Sequence, residues 1–72
     1  MTRDEWIAAF AAAAGTATPS AEEVDALLEL AGVAAHASER TAAPVACWLA
    51  ATAGLTPGDA LALARTLETG DA

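Results

Sequence analysis

The chain has no lysine, and its 72 residues include only three arginines, Arg3, Arg40 and Arg65. Ten acidic residues bring the formal net charge to −7. Nucleic acids and anionic membrane surfaces are bound through clustered positive charge, which three scattered arginines do not provide. We therefore expect neither a nucleic acid nor a membrane as the partner of this protein.

Cysteine and histidine occur once each, as Cys47 and His36. A lone cysteine forms no intramolecular disulfide, which is typical of proteins from the reducing cytoplasm. Asp4 and Glu5 directly follow Arg3, so the N-terminus lacks the positive segment of an export signal. One histidine and one cysteine do not complete a zinc site, and the acidic residues lack the spacing of a calcium loop. We expect a cytoplasmic protein with no metal and no cofactor.

Long apolar runs are also missing, although 56% of the residues are hydrophobic. The longest apolar stretch, residues 42–53, is shorter than the roughly 20 residues that span a bilayer. About a third of the chain is alanine, which buries little apolar area per residue. A single domain over residues 1–72 is near the lower size limit for an independent core. A homo-oligomer, most simply a dimer, is therefore expected.

What the sequence does contain is clear helix punctuation. Thr2 with Glu5, and Ser20 with Glu23, have the spacing of capping boxes at the starts of two helices. The sequence predicts an all-α fold, a compact four-helix bundle, with helices at approximately 3–14, 21–39, 42–53 and 57–69.

The third and fourth helices have their own boundary signals. Thr41 is the expected cap of the third helix, with Pro44 in its first turn and Gly54 as its stop. Thr56 followed by Pro57 opens the fourth helix. The third helix is apolar all round, which predicts that it is the central element of the bundle.

Two further patterns concern the first and second helices. Trp6, Ile7 and Phe10 recur at helical spacing, which predicts the first helix. Gly32, inside the second helix, predicts that another helix crosses closely there, because glycine is otherwise unfavourable in a helix.

The mid-chain polar residues lie together at the joint between the second and third helices. His36 and Arg40 are four residues apart, so a helix continuing through both would place them on one face, with Glu39 beside Arg40. One hypothesis is a patch that binds a small anion or a partner's carboxylate. The alternative, which we favour, is structural: Arg40 bonds the last carbonyls of the helix and His36 is held within the bundle.

No residue set predicts catalysis. Cys47 lies within an alanine-rich apolar helix, where a thiol is usually an inert small hydrophobe. With no second histidine or cysteine, no positioned nucleophile and base are indicated. We therefore expect a protein that is not an enzyme.

Several segments together resemble a known family. They are Trp6, the stretch 27–31, His36 followed by Glu39 and Arg40, and the Ala43-Pro44 pair before an apolar helix. The chain resembles a family of small all-helical domains of unknown function, found alone or fused to the C-terminus of actinobacterial molybdenum cofactor guanylyltransferases. The resemblance implies an accessory or interaction role near molybdopterin guanine dinucleotide maturation.

These observations lead to one functional expectation. The chain is predicted to be a non-catalytic protein-interaction domain whose partner is a second copy or a molybdenum cofactor guanylyltransferase. Trp6 and Trp48, with His36, Glu39 and Arg40, are the predicted contact residues, because Trp and Arg contribute most at interfaces. The alternative is a small-anion-binding domain with its site at His36, Glu39 and Arg40.

Overall fold

The computed structural model describes residues 1–68, apart from the side chain of residue 68. It contains helices α1 (Arg3–Ala14), α2 (Ala21–Ala37), α3 (Ala42–Thr52) and α4 (Pro57–Glu68). The described part of the chain contains no strand. The predicted all-α arrangement of four helices is confirmed. The bounds of α2 and α3 fall two residues and one residue short of the predicted ends, and residue 69, the predicted end of α4, lies outside the described residues.

The predicted capping boxes are present at both helix starts. The Glu5 backbone N–H donates to Thr2 Oγ1 at 3.1 Å, and the Thr2 N–H donates to Glu5 Oε1 at 2.8 Å. Ser20 and Glu23 repeat both bonds at 3.1 and 2.8 Å. These bonds involve only residues three apart, so they form wherever the local sequence allows them.

Two helices end at a glycine in the left-handed region. Gly15 has a φ of 79° and Gly54 a φ of 76°. The amide after each glycine donates to the carbonyl five residues earlier, at 2.9 and 3.0 Å. This is the Schellman arrangement, which satisfies carbonyls left unpaired at a helix end. Both glycines are required for their backbone conformation.

The central element is α2, which packs against both α3 and α4. Leu30 of α2 forms the core with Ala50 of α3 and Ala60 of α4. The prediction that α3 is central is wrong, since Trp48 and Leu49 on α3 are exposed. An all-apolar helix is central only if neighbours cover it on every side, and in the described structure α3 packs extensively only against α2.

The first helix has much less tertiary packing than the other three. Unlike α3 and α4, α1 does not pack extensively against α2. Its Ile7 lines a concave surface at the start of α2 together with Pro19 and Val24. The molecule measures 42 × 24 × 18 Å with a radius of gyration of 12.9 Å, against about 11 Å for a typical domain of this length. The fold is therefore elongated.

The expected close helix crossing at Gly32 is not found. A Cβ atom at this position would have no heavy atom from another part of the described chain within 4 Å. The prediction is wrong, and no close approach within the described structure requires a glycine at this position.

Candidate functional site

The polar joint between α2 and α3 has a different geometry from the one expected. Ser38 has φ −143° and ψ −96°, so it ends the helix, and its hydroxyl donates to the Ala34 carbonyl at 3.0 Å. Because α2 stops before Arg40, His36 and Arg40 are not on one helical face. A shared face required α2 to continue through both residues, and it ends at Ala37.

The three polar side chains of the joint are exposed and separate. His36, Glu39 and Arg40 form no side-chain hydrogen bond or ion pair with any described residue. Arg40 therefore does not bond the last carbonyls of α2, and His36 is not held within the bundle. The structural interpretation of these residues is wrong. Anion binding at this segment stays a prediction.

The backbone of the joint forms its own turn. The Ala42 N–H donates to the Glu39 carbonyl at 2.9 Å, and the Ala43 N–H donates to the Arg40 carbonyl at 3.1 Å. Thr41 occupies the N-cap position in the right-handed helical region and makes no side-chain cap bond. The prediction that its hydroxyl caps α3 is wrong, because these backbone carbonyls already bond the first amides.

The other two arginines are in ion pairs. Arg65 Nη2 lies 2.8 Å from Glu29 Oε2 and so links α4 to α2. Arg3 Nη2 lies 2.9 Å from Asp4 Oδ1. Exposed pairs of this kind stabilise a fold little. Within residues 1–68, Arg40 is thus the arginine that remains available to a partner.

An aromatic pair lies on the solvent side of α1. The rings of Trp6 and Phe10 are stacked, with centroids 5.1 Å apart and an interplanar angle of 8°. Trp6 is 56% exposed and Phe10 is 60% exposed. We call this pair the aromatic face of α1. Ala11, not an aromatic residue, is the buried residue of α1.

The outer side of α3 is also apolar and exposed. Trp48 is 67% exposed, and Val45 and Leu49 beside it are each more than half exposed. The spacing of three and four residues places these side chains on one helical stripe. Trp48 is therefore accessible, as a contact residue must be.

Between α3 and α4 lies an apolar groove that the sequence did not reveal. Its volume is about 280 Å³. The residues lining it are Leu30, Ala46, Leu49, Ala50, Ala53, Leu55, Ala60, Leu63, Ala64 and Leu67. We call this surface the α3–α4 groove. All its lining residues are Ala or Leu, and none belongs to α1.

The groove arises because alanines form its floor and leucines form its sides. Ala50 and Ala60 are buried against α2, while Leu49, Leu63 and Leu67 remain more than half exposed. Leu63 and Leu67 are four residues apart on α4, which was the available sequence signal. That spacing shows an apolar stripe, but it does not show whether another helix covers it.

Cys47 is half-buried on α3, with its Sγ 4.0 Å from the Leu27 carbonyl oxygen. Among residues 1–68, no group of three or more His, Cys, Asp or Glu side chains is placed to hold a metal ion. None of the described helices is both long enough and apolar enough to cross a bilayer.

The predicted contact residues do not form one site. Trp6 is on α1, His36 is near the end of α2, Glu39 and Arg40 are in the joint, and Trp48 is on α3. No hydrogen bond, ion pair or ring contact in the described part of the chain joins any two of them. What they share is exposure to solvent.

The chain matches a family described as a domain of unknown function, DUF6457, over residues 1–70. The chain belongs to the DUF6457 family. No curated protein matches it, and no solved structure matches it. The match confirms the expected domain of unknown function, and the DUF6457 description carries no activity.

Proposed function

We propose that this DUF6457 domain is a non-catalytic protein-interaction domain that serves molybdenum cofactor maturation by binding a molybdenum cofactor guanylyltransferase. The observation that carries the interaction role is the distribution of apolar side chains. In the described chain, nine large hydrophobic residues are more than half exposed, whereas Leu30, at 4% exposed, is the one large hydrophobic residue in the buried core.

Exposure on this scale favours a binding role. Monomeric proteins rarely expose large contiguous apolar patches, and such a patch usually marks a surface that binds a partner or ligand. Trp48 is the strongest single candidate, because tryptophan is enriched among residues whose truncation costs most binding energy. Its neighbours Val45 and Leu49 extend the apolar stripe on α3.

The molybdenum link has a different support. It comes from the resemblance of the segment around His36, Arg40 and Pro44 to small helical domains found with guanylyltransferases. Arg40 is exposed and unpaired within residues 1–68, so it is available to a carboxylate on such an enzyme.

The test is a binding measurement between the purified domain and a molybdenum cofactor guanylyltransferase, using immobilised enzyme and domain in solution. Trp48→Ala is expected to weaken binding by roughly 30-fold, the effect of losing about 2 kcal/mol at an interface. Leu28→Ala is the matched control, since Leu28 is an exposed apolar residue on α2 and lies outside the α3 stripe of Val45, Trp48 and Leu49.

Two results would contradict the proposal. Absence of binding by the folded wild-type domain removes the molybdenum link. Equal weakening by Trp48→Ala and Leu28→Ala removes the α3 stripe as the contact surface. Circular dichroism of each variant checks that helix content is unchanged.

A further inference from the structure

We propose that the α3–α4 groove binds the aromatic face of α1 from a second copy of this chain. Each chain inserts this face into the groove of the other, an arrangement that we call reciprocal exchange. The inference rests on the proposed interaction role and names one partner for it. Four observations support it, concerning the exposed area, the groove, the position of α1 and the symmetry that the exchange allows.

The exposed area is larger than a folded monomer of this size needs. The accessible surface is 5184 Å² for a chain of 7.1 kDa, whereas a compact monomer of that mass exposes about 4,100 Å². The excess, roughly 1,000 Å², is comparable to the area of about 800 Å² that each partner buries in a standard interface. An interface of standard size would therefore bring the exposed area of each chain close to that of a compact monomer.

The groove and the aromatic face of α1 match in chemistry. The groove is lined by residues 46–53 of the α3 segment and 60–67 of α4, each about 12 Å long. Trp6 and Phe10 are four residues, or about 6 Å, apart along α1. The sides of the groove are leucines, and its lining residues carry no charge. An apolar helical face entering an apolar groove between two helices is a recurrent recognition mode.

The chain's own α1 does not occupy the groove. Ile7 of α1 lines a separate concave surface together with Pro19 and Val24, and no residue of α1 lines the α3–α4 groove. Trp6 and Phe10 are left on the outside, so the aromatic face is free to enter the groove of another molecule.

Reciprocal exchange closes the assembly. If each chain inserts its α1 into the other's groove, both surfaces of both chains are used and a closed two-fold dimer results. The occupant is therefore a second copy, because one chain carries both the groove and a helix with a face that fits it.

The experiment measures molecular mass in solution by sedimentation velocity. The wild type is expected to be a dimer at micromolar concentration. Phe10→Glu, which places a charge on the aromatic face, and Leu63→Glu, which places one in the groove, are each expected to be monomeric. Leu28→Glu is the matched control and remains dimeric: Leu28 and Leu63 are 52% and 56% exposed, and only Leu63 lines the groove.

A mixture of the two monomeric variants distinguishes exchange from other dimers. Phe10→Glu keeps an intact groove, and Leu63→Glu keeps an intact α1. In an equimolar mixture, one of the two contacts is restored, so a heterodimer weaker than the wild-type dimer forms. Phe10→Ala and Leu63→Ala replace the charged variants if circular dichroism shows a loss of helix.

Four outcomes would overturn the inference: a monomeric wild type, a dimeric Phe10 variant, a dimeric Leu63 variant, or a mixture that stays monomeric. A dimeric Leu63 variant together with a monomeric Phe10 variant indicates that two α1 helices pack face to face instead. A monomeric wild type that still binds the guanylyltransferase overturns the exchange and leaves the proposed function intact. A wild-type dimer that does not bind the guanylyltransferase contradicts the proposed function and leaves the inferred dimer intact.

Discussion

At the scale of single residues, the stability of an Arg40 variant tests the finding that this side chain has no structural role in the polar joint. Its side chain is exposed and forms no hydrogen bond or ion pair with a described residue, so nothing in the fold depends on it. We expect Arg40→Ala to change the free energy of unfolding by less than about 0.5 kcal/mol, as is usual for surface positions. Thermal unfolding followed by circular dichroism measures this effect.

The control for this prediction is Arg65→Ala, which removes the link between α4 and Glu29 of α2. An exposed pair of this kind is worth about 0.2–1 kcal/mol. If Arg40→Ala destabilises the domain more than Arg65→Ala does, Arg40 has a structural role that the described contacts do not account for. Loss of anion binding in Arg40→Ala at unchanged stability would support the ligand hypothesis.

Two glycines give a second prediction at the residue scale. A Cβ at Gly32 and a Cβ at Gly54 would both have open space around them, but Gly54 has a φ of 76° and Gly32 has no positive φ. Gly32→Ala is expected to stabilise the domain by about 1 kcal/mol, because alanine is favoured within a helix. Gly54→Ala is expected to destabilise it by about 1 kcal/mol, because the left-handed conformation disfavours a side chain.

The midpoint of urea unfolding measures both glycine variants. Both positions have open space around them and differ in backbone conformation, so the two substitutions should shift the urea midpoint in opposite directions. A destabilised Gly32→Ala would contradict the open space around this position of α2.

At the scale of helices, α1 differs from the others because its packing is so limited. Isolated helices of this length are marginal in water, and α1 has Ala11 as its buried residue. In dilute solution, amides of α1 are therefore expected to exchange hydrogen faster than amides of α2, which packs against two helices. When the protein concentration is raised above the Kd of the dimer, hydrogen exchange of the α1 amides should slow, and that of the amides in the core of α2 should not change.

Hydrogen exchange followed by mass spectrometry measures this difference at two concentrations. Equal protection of α1 and α2 in the dilute sample would contradict the limited packing of α1. Protection of α1 that does not respond to concentration would contradict the exchange of helices between chains.

The same distinction between local and tertiary interactions explains what the sequence could predict. The starts of α1 and α2 followed from Thr2 with Glu5 and Ser20 with Glu23, since each cap involves residues three apart. The role of α3 could not be predicted. Alanines on every side of a helix give no direction to its packing, so the apolar pattern did not show that Trp48 faces solvent.

The candidate site was less predictable for the same reason. His36 and Arg40 were paired on the assumption that α2 continues through both residues, but Ser38 bonds the Ala34 carbonyl and ends the helix. The α3–α4 groove depends on how two helices pack against Leu30 of a third, which is a tertiary fact. Sequence identified the exposed contact candidates Trp6 and Trp48 by residue type alone.

At the scale of the whole molecule, charge opposes the association that apolar area favours. Each chain has a formal net charge of −7, so two copies repel one another, while the lining residues of the groove and the aromatic face of α1 are uncharged. Salt screens repulsion between surface charges without weakening apolar contacts. The dimer is therefore expected to become tighter as sodium chloride increases.

The expected effect between low salt and high salt is about 1 kcal/mol, or roughly fivefold in Kd, from screened interactions between like-charged surfaces. Sedimentation equilibrium at a series of salt concentrations measures it, with the Leu28→Glu dimer as a control that carries one more negative charge per chain and should show a steeper dependence. An interface held by ion pairs, such as one formed through Arg40, would weaken with salt instead. The sign of the salt dependence thus decides whether the apolar surfaces or the polar joint carry the association.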